Sequence, residues 1–141
     1  MGKHLRKTRQ REAISRAFET AQRPLHAHEI LHLAQQDVPE LGLATVYRTL
    51  KMMVSERVLT EVNLRSGATR YEPTVRQHTT FLYCDCCDKA FPLEANGIDE
   101  SMEKHLNAIP NGFEFSHCEV TFVGVCPECT PTAEVQRASG Q

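Results

Sequence analysis

The chain has 141 residues, 40% of them hydrophobic, which is enough to bury one modest core or two small ones and excludes a large catalytic domain with elaborate loops. No apolar run is long enough to cross a bilayer, and Met1 to Gln10 is polar and basic rather than a secretory leader, so the expectation is a soluble, cytoplasmic protein with no membrane contact. The formal net charge of -2 hides a division: residues 1–76 carry 13 Lys and Arg against 8 Asp and Glu, whereas residues 77–141 carry 3 against 10. That asymmetry is expected if the first half faces a polyanion and the second does not.

Ala13, Ile14, Ala17, Phe18 and Ala21 recur at helical spacing and predict a first amphipathic helix over 9–21, closed by Gln22, Arg23 and Pro24. Ile30, Leu31, Leu33 and Ala34 predict a second over 26–36, broken by the stretch from Pro39 to Gly42. A third spans 44–55, with Val46, Leu50, Met53 and Val54 inward and Thr45, Tyr47, Arg48 and Lys51 projecting from the other faces. Alternating segments at 58–64 and 69–72, separated by Arg65, Ser66, Gly67 and Ala68, read as a hairpin. Three helices followed by a hairpin spell a winged helix-turn-helix.

Beyond Pro73 a polar hinge leads to strands expected at 81–83, 90–93 and 120–125, with a helix over 98–108 between the last two. The fold class is therefore α+β: a winged-helix lobe over 1–75, a second α/β lobe over 76–130, and a disordered tail over 131–141 that has little to bury.

Six cysteines in a chain without a leader point to metal or redox chemistry rather than a disulfide framework. Cys84 and Cys87 form one Cys-x-x-Cys pair, and Cys126 and Cys129 form another about forty residues on. Two intervening residues let both thiolates of a knuckle reach one ion, and two knuckles complete the closed tetrahedral sphere of structural zinc. Cys126-Pro127-Glu128-Cys129 also matches a thiol-oxidoreductase pattern, but that chemistry needs a helix directly after the pair, and Pro131 follows instead.

Three stretches together carry a family resemblance: Arg6-Lys7-Thr8-Arg9-Gln10-Arg11, Gly42-Leu43-Ala44-Thr45-Val46-Tyr47-Arg48-Thr49-Leu50, and the two cysteine pairs. In this order and spacing, residues 3–129 resemble the ferric uptake regulator (Fur) family of repressors, with its zinc-sensing branch the nearest in chemistry. The resemblance implies a homodimer on a palindromic double-stranded DNA operator, with Tyr47 and Arg48 meeting bases and phosphates, Thr45 and Lys51 on the same reading helix, and Lys3, Arg6 and Lys7 near the backbone or minor groove. Such a protein is a binding protein, not an enzyme. Its cofactors would be a structural zinc on Cys84, Cys87, Cys126 and Cys129 and a second, regulatory metal ion, expected to be zinc.

At the regulatory site the sequence departs from the family pattern. Glu72 keeps the place of a hinge carboxylate, while the companion ligands of the common site appear as Leu25, Phe81 and Pro92, none of which can bind metal. At the family's other site His78 keeps a ligand position, Cys118 replaces a histidine, Thr80 replaces a ligand, and Asp99 or Glu100 could supply a carboxylate. A thiolate in that set favours zinc over iron. The candidate sensor is therefore His78 and Cys118 with Glu72, Asp99 or Glu100, leaving His26, His28, His32, His105 and His117 as nearby alternatives and Cys86 as a spare thiol or redox handle. A zinc hydrolase or deaminase would need an open zinc site with a His-x-Glu before a Cys-x-x-Cys, which His26-Ala27-His28-Glu29 does not provide. A thiol-redox or peroxide-responsive regulator is the other alternative, supported by Cys86 and Cys118.

Overall fold

A computed structural model describes residues 2–64, 67–76, 80–93, 100–116 and 118–130. The first lobe begins with α1 (Gly2–Ala21), followed by β1 (Leu25–His26), α2 (Ala27–Ala34), α3 (Leu43–Ser55), β2 (Leu59–Asn63) and β3 (Thr69–Pro73). A 3-10 turn, Thr74–Arg76, leads to the second lobe: β4 (Thr80–Cys84), β5 (Ala90–Pro92), α4 (Glu100–Asn107) and β6 (Val120–Gly124). The winged helix and the α+β class are as expected. Residues 131–141, read as a tail, lie outside the described residues; Thr130, directly after Cys129, is helical, so the expectation that no helix follows the second cysteine pair is not met there.

The first helix starts seven residues earlier than its apolar pattern predicts. Only Ala13, Ile14, Ala17 and Phe18 are buried, so periodicity could not reveal the preceding turns. Those turns lack Pro and carry Lys3, Leu5, Arg6 and Lys7, which lose little freedom in a helix. The Thr8 hydroxyl donates to the carbonyl of His4 at 3.1 Å, and Arg9 donates to the carbonyl of Asp37 at 2.8 Å. The helix stops at Gln22, whose φ of 54° lies in the left-handed region.

The strand β1 was not expected, because two residues cannot show an alternation. It pairs antiparallel with β3, Leu25 opposite Tyr71, and makes the order β1-β3-β2. His26 also caps α2: its Nδ1 accepts from the Glu29 amide at 3.3 Å, while its own amide donates to the Glu29 carboxylate at 3.1 Å. This is a capping box with an imidazole in the usual hydroxyl position. Around it the core gathers Ile14 and Phe18 of α1, Ile30 of α2, Val46, Leu50 and Met53 of α3, and Leu25, Leu59 and Tyr71 of the sheet.

The second sheet has the order β5-β4-β6, with β4 and β5 antiparallel across the first cysteine pair and β4 and β6 parallel, Thr80 opposite Val120. The parallel pairing requires the long crossover that contains α4. The lobes meet through an apolar cluster in which Val62 and Leu64 of the hairpin pack with Phe81, Tyr83 and Ala90 of the second sheet. Arg76 of the turn donates to the Phe18 carbonyl at 3.2 Å, and the Arg23 guanidinium lies 5.9 Å from the centre of the Phe91 ring. No described helix is long and apolar enough to cross a membrane.

Two consequences are measurable. Leu50→Ala removes a fully buried side chain of α3 and should lower stability by about 3 kcal/mol in denaturant unfolding. Burial alone would raise the Glu29 carboxyl above its ordinary 4.5, but the Arg23 hydrogen bond, the His26 amide and the adjacent charges hold it below that value, with Arg23 Nη2 2.5 Å away. Its stabilisation is complete above the ordinary glutamate range and is lost as pH falls through the lower folded value. Thermal unfolding of Glu29→Gln against pH should therefore show a flatter acid limb than the parent.

Candidate metal centre and nucleic-acid interface

The two cysteine pairs sit at the same end of a parallel strand pair. Cys84 ends β4, and Cys126 lies two residues beyond β6, so the pairing of Cys84 with Gly124 brings both knuckles together. The ligand atoms of Cys84, Cys87, Cys126 and Cys129 all lie within 4.8 Å of one another. Cys87 Sγ and Cys126 Sγ are 3.8 Å apart, and a zinc–thiolate tetrahedron with bonds of about 2.3 Å has edges of about 3.8 Å. This donor set fits zinc, with four sulfurs filling every position of a closed structural site.

Backbone amides shape the cluster electrostatically. Burial opposes the Cys84 thiolate, yet the amides of Cys126, Cys87 and Cys86 more than offset it and bring the thiol from 9.0 down to about 6. The Cys126 amide lies 3.3 Å from Cys84 Sγ. Burial and neighbouring thiols push Cys87 and Cys129 upward. Tight turns hold the loops, with the Asp88 amide donating to the Cys84 carbonyl at 2.9 Å and the Cys129 amide to the Cys126 carbonyl at 3.0 Å. Lys89 and Glu128 join the two knuckles through an ion pair at 3.5 Å. Cys86 is exposed on the first knuckle.

Of the residues expected at DNA, the structure gathers Lys3, Arg6, Lys7, Thr45 and Arg48 into one open groove, which Gln10, Arg11, Thr49 and Met52 complete. Lys3, Arg6 and Lys7 therefore stand on a helix rather than on a tail preceding one. The positions 3, 6, 7, 10 and 11 of α1, and 45, 48, 49 and 52 of α3, follow helical spacing. That spacing could have revealed the four residues missed, had the basic segment been read as helix. Arg11 is anchored to Glu56 at 2.5 Å, whereas Lys3, Arg6, Lys7 and Arg48 enter no ion pair among the described residues. Lys51 is exposed on α3. Tyr47, about half exposed, opens onto a different hollow with His26, His28, Thr69 and Tyr71.

The sensor candidates are less fully placed. His78 and Asp99 lie outside the described residues, as does His117, and Glu100 opens α4. Glu72 is buried in β3. Cys118 is half-buried, with its Sγ 3.8 Å from Met102 Sδ of α4. The three apolar replacements at the common site are packed in: Leu25 and Phe81 are core residues, and Phe81 pairs with Pro92 across β4 and β5. Among the described residues, the four clamp cysteines are the one group of three or more possible ligands close enough to share an ion.

Cys126→Ser should cost the chain about one equivalent of tightly held zinc and lower its melting temperature. Cys86→Ser should retain both, as read by metal analysis after exchange against a chelator.

A solved structure of the Helicobacter pylori ferric uptake regulator aligns over 86% of this chain and 79% of its own with a TM-score of 0.65 at 21% identity, a likeness of fold. In sequence, the chain is 32% identical to a ferric uptake regulation protein of Synechococcus elongatus over 88% of this chain and 85% of that protein. It is 29% identical to the Bacillus subtilis protein of the same description over 86% and 83%. The model of the ferric uptake regulator family matches residues 2–123, from the basic start of α1 through the crossover to β6. With the winged helix, the basic groove and the cysteine clamp in their expected order, the chain belongs to the ferric uptake regulator family.

Proposed function

We propose that the protein is a metal-responsive transcriptional repressor that senses zinc and binds a palindromic operator as a homodimer, with residues 1–75 as its DNA-binding domain and 76–130 as its zinc-binding dimerisation domain. The observation that carries this reading is the groove in which Lys3, Arg6 and Lys7 of α1 face Thr45 and Arg48 of α3. Cations that enter no ion pair among the described residues, supplied by two helices, suit a phosphate backbone, and their spacing along α1 follows one face. Arg48 offers a bidentate fork to guanine or phosphate, and the exposed ring of Tyr47 suits a thymine methyl. Lys51 lies one turn further along α3.

The second lobe supports self-association. Its edge strand β6 leaves Phe122 and Val123 exposed, beside Leu82 of β4, and an apolar sheet edge calls for a partner strand. In the sensor reading, His78 and Cys118 with Glu72, Asp99 or Glu100 hold the regulatory zinc. The regulatory ion would supply a bridge between ligands from separate segments and so bias the lobes toward one arrangement.

Anisotropy with a labelled palindromic duplex tests the reading, with the clamp loaded and zinc, manganese or iron added. Zinc alone should tighten binding, and His78→Ala or Cys118→Ser should abolish that response. Arg48→Ala should weaken binding by about tenfold or more, while Lys7→Ala should weaken it across sequences and lower the salt slope by about one. If no metal alters affinity and peroxide does, the thiols are the sensor and the zinc assignment falls.

A further inference from the structure

We propose that Arg70 is a positioning residue: a buried strut through which the first cysteine knuckle holds the β2–β3 wing, and with it the DNA-binding lobe, in a set orientation. The proposal rests on the DNA-binding reading above only for its functional consequence.

Arg70 projects from β3 of the wing and is wholly buried, although it is the largest fully buried side chain and carries a charge. A guanidinium withdrawn from water is costly unless its donors and its charge are answered. The knuckle answers Nη2, whereas Nε is buried without a hydrogen bond among the described residues. Arg70 Nη2 donates to the Asp88 carbonyl and lies 3.3 Å from the Asp88 carboxylate, while Nη1 donates to the Ala68 carbonyl at 3.3 Å. The guanidinium also stands 5.6 Å from the centre of the Tyr83 ring, whose hydroxyl donates to the same Asp88 carboxylate.

Asp88 is itself part of the clamp loop. It follows Cys87 directly, its amide donates to the Cys84 carbonyl at 2.9 Å, and its φ of 62° belongs to the turn that folds the two cysteines together. Arg70 therefore spans from the wing to the backbone that shapes half of the metal site. Val62, the register partner of Arg70, and Tyr83 belong to the apolar cluster that also holds Leu64, Phe81 and Ala90. Glu72 lies two residues along β3, on the same face as Arg70, so a strut that places this strand also places a candidate sensor ligand. By reciprocity, what the knuckle does for the wing the wing must do for the knuckle.

The test uses the zinc-loaded full chain and the variants Asp88→Asn, Arg70→Lys and their combination. Asparagine tolerates the positive φ, and Asp88 is half exposed, so Asp88→Asn keeps the test alive if the Arg70 variant fails to fold. Two rates are read: zinc release to a chromogenic chelator, and hydrogen exchange of the β2 and β3 amides. Each single variant should speed both by about tenfold, and the combination should add little further. The proposal is overturned if Asp88→Asn speeds zinc release and leaves β3 exchange unchanged, or if a folded Arg70→Lys leaves zinc release at the parental rate. Operator affinity is measured separately. A parent that binds no palindromic duplex would defeat the DNA-binding reading, while the two rates would still decide the strut.

Discussion

Four sulfur atoms converging on one point at the end of two parallel strands constrain much of this molecule. The knuckles can meet only if β4 and β6 lie side by side in the register that sets Cys84 opposite Gly124, and a parallel pair cannot be closed by a tight turn. The chain must therefore make a long excursion, with α4 inside it, before the second pair arrives. Closing such a loop is entropically costly, and the three-stranded sheet has little core of its own to offset that cost, since much of β6 is exposed. An ion held by the four sulfurs would supply folding free energy where the lobe is otherwise weakest.

The same knuckle is where the second lobe grips the first. Its loop presents a carbonyl and a half-exposed carboxylate to a fully buried guanidinium that rises out of the wing beside an apolar cluster. Around this junction the charge divides. Basic side chains line the far groove between α1 and α3, and Lys3, Arg6, Lys7 and Arg48 enter no ion pair among the described residues, whereas the excess of acid lies in the second half. The charge that would attract a polyanion is thus confined to one lobe.

Where the family pattern is broken, the structure shows what replaced it. Leu25, Phe81 and Pro92 stand at positions where the resemblance implies ligands, and two of them are core residues. Buried apolar side chains there stabilise the contact between the lobes by packing, beside the interactions of Arg70. Cys118, beside Met102, adds a soft donor to the other candidate site.

The sequence by itself determined the elements whose side chains repeat: α2, α3, the hairpin and β4, whose buried faces recur every two or every three to four residues, while β5 and β6 were legible from short apolar runs although β6 buries no residue fully. It also determined the clamp, because a Cys-x-x-Cys pair encodes its own local geometry. Tertiary structure alone decided the rest. The first two turns of α1 carry no buried face and so leave no periodic trace. The strand β1 exists only because β3 offers it a partner. Arg70 reads as an ordinary surface cation until the fold brings an aspartate from 18 residues away against it. Local repetition is written in the chain, whereas contacts between distant segments depend on how the two lobes close, which no single segment specifies.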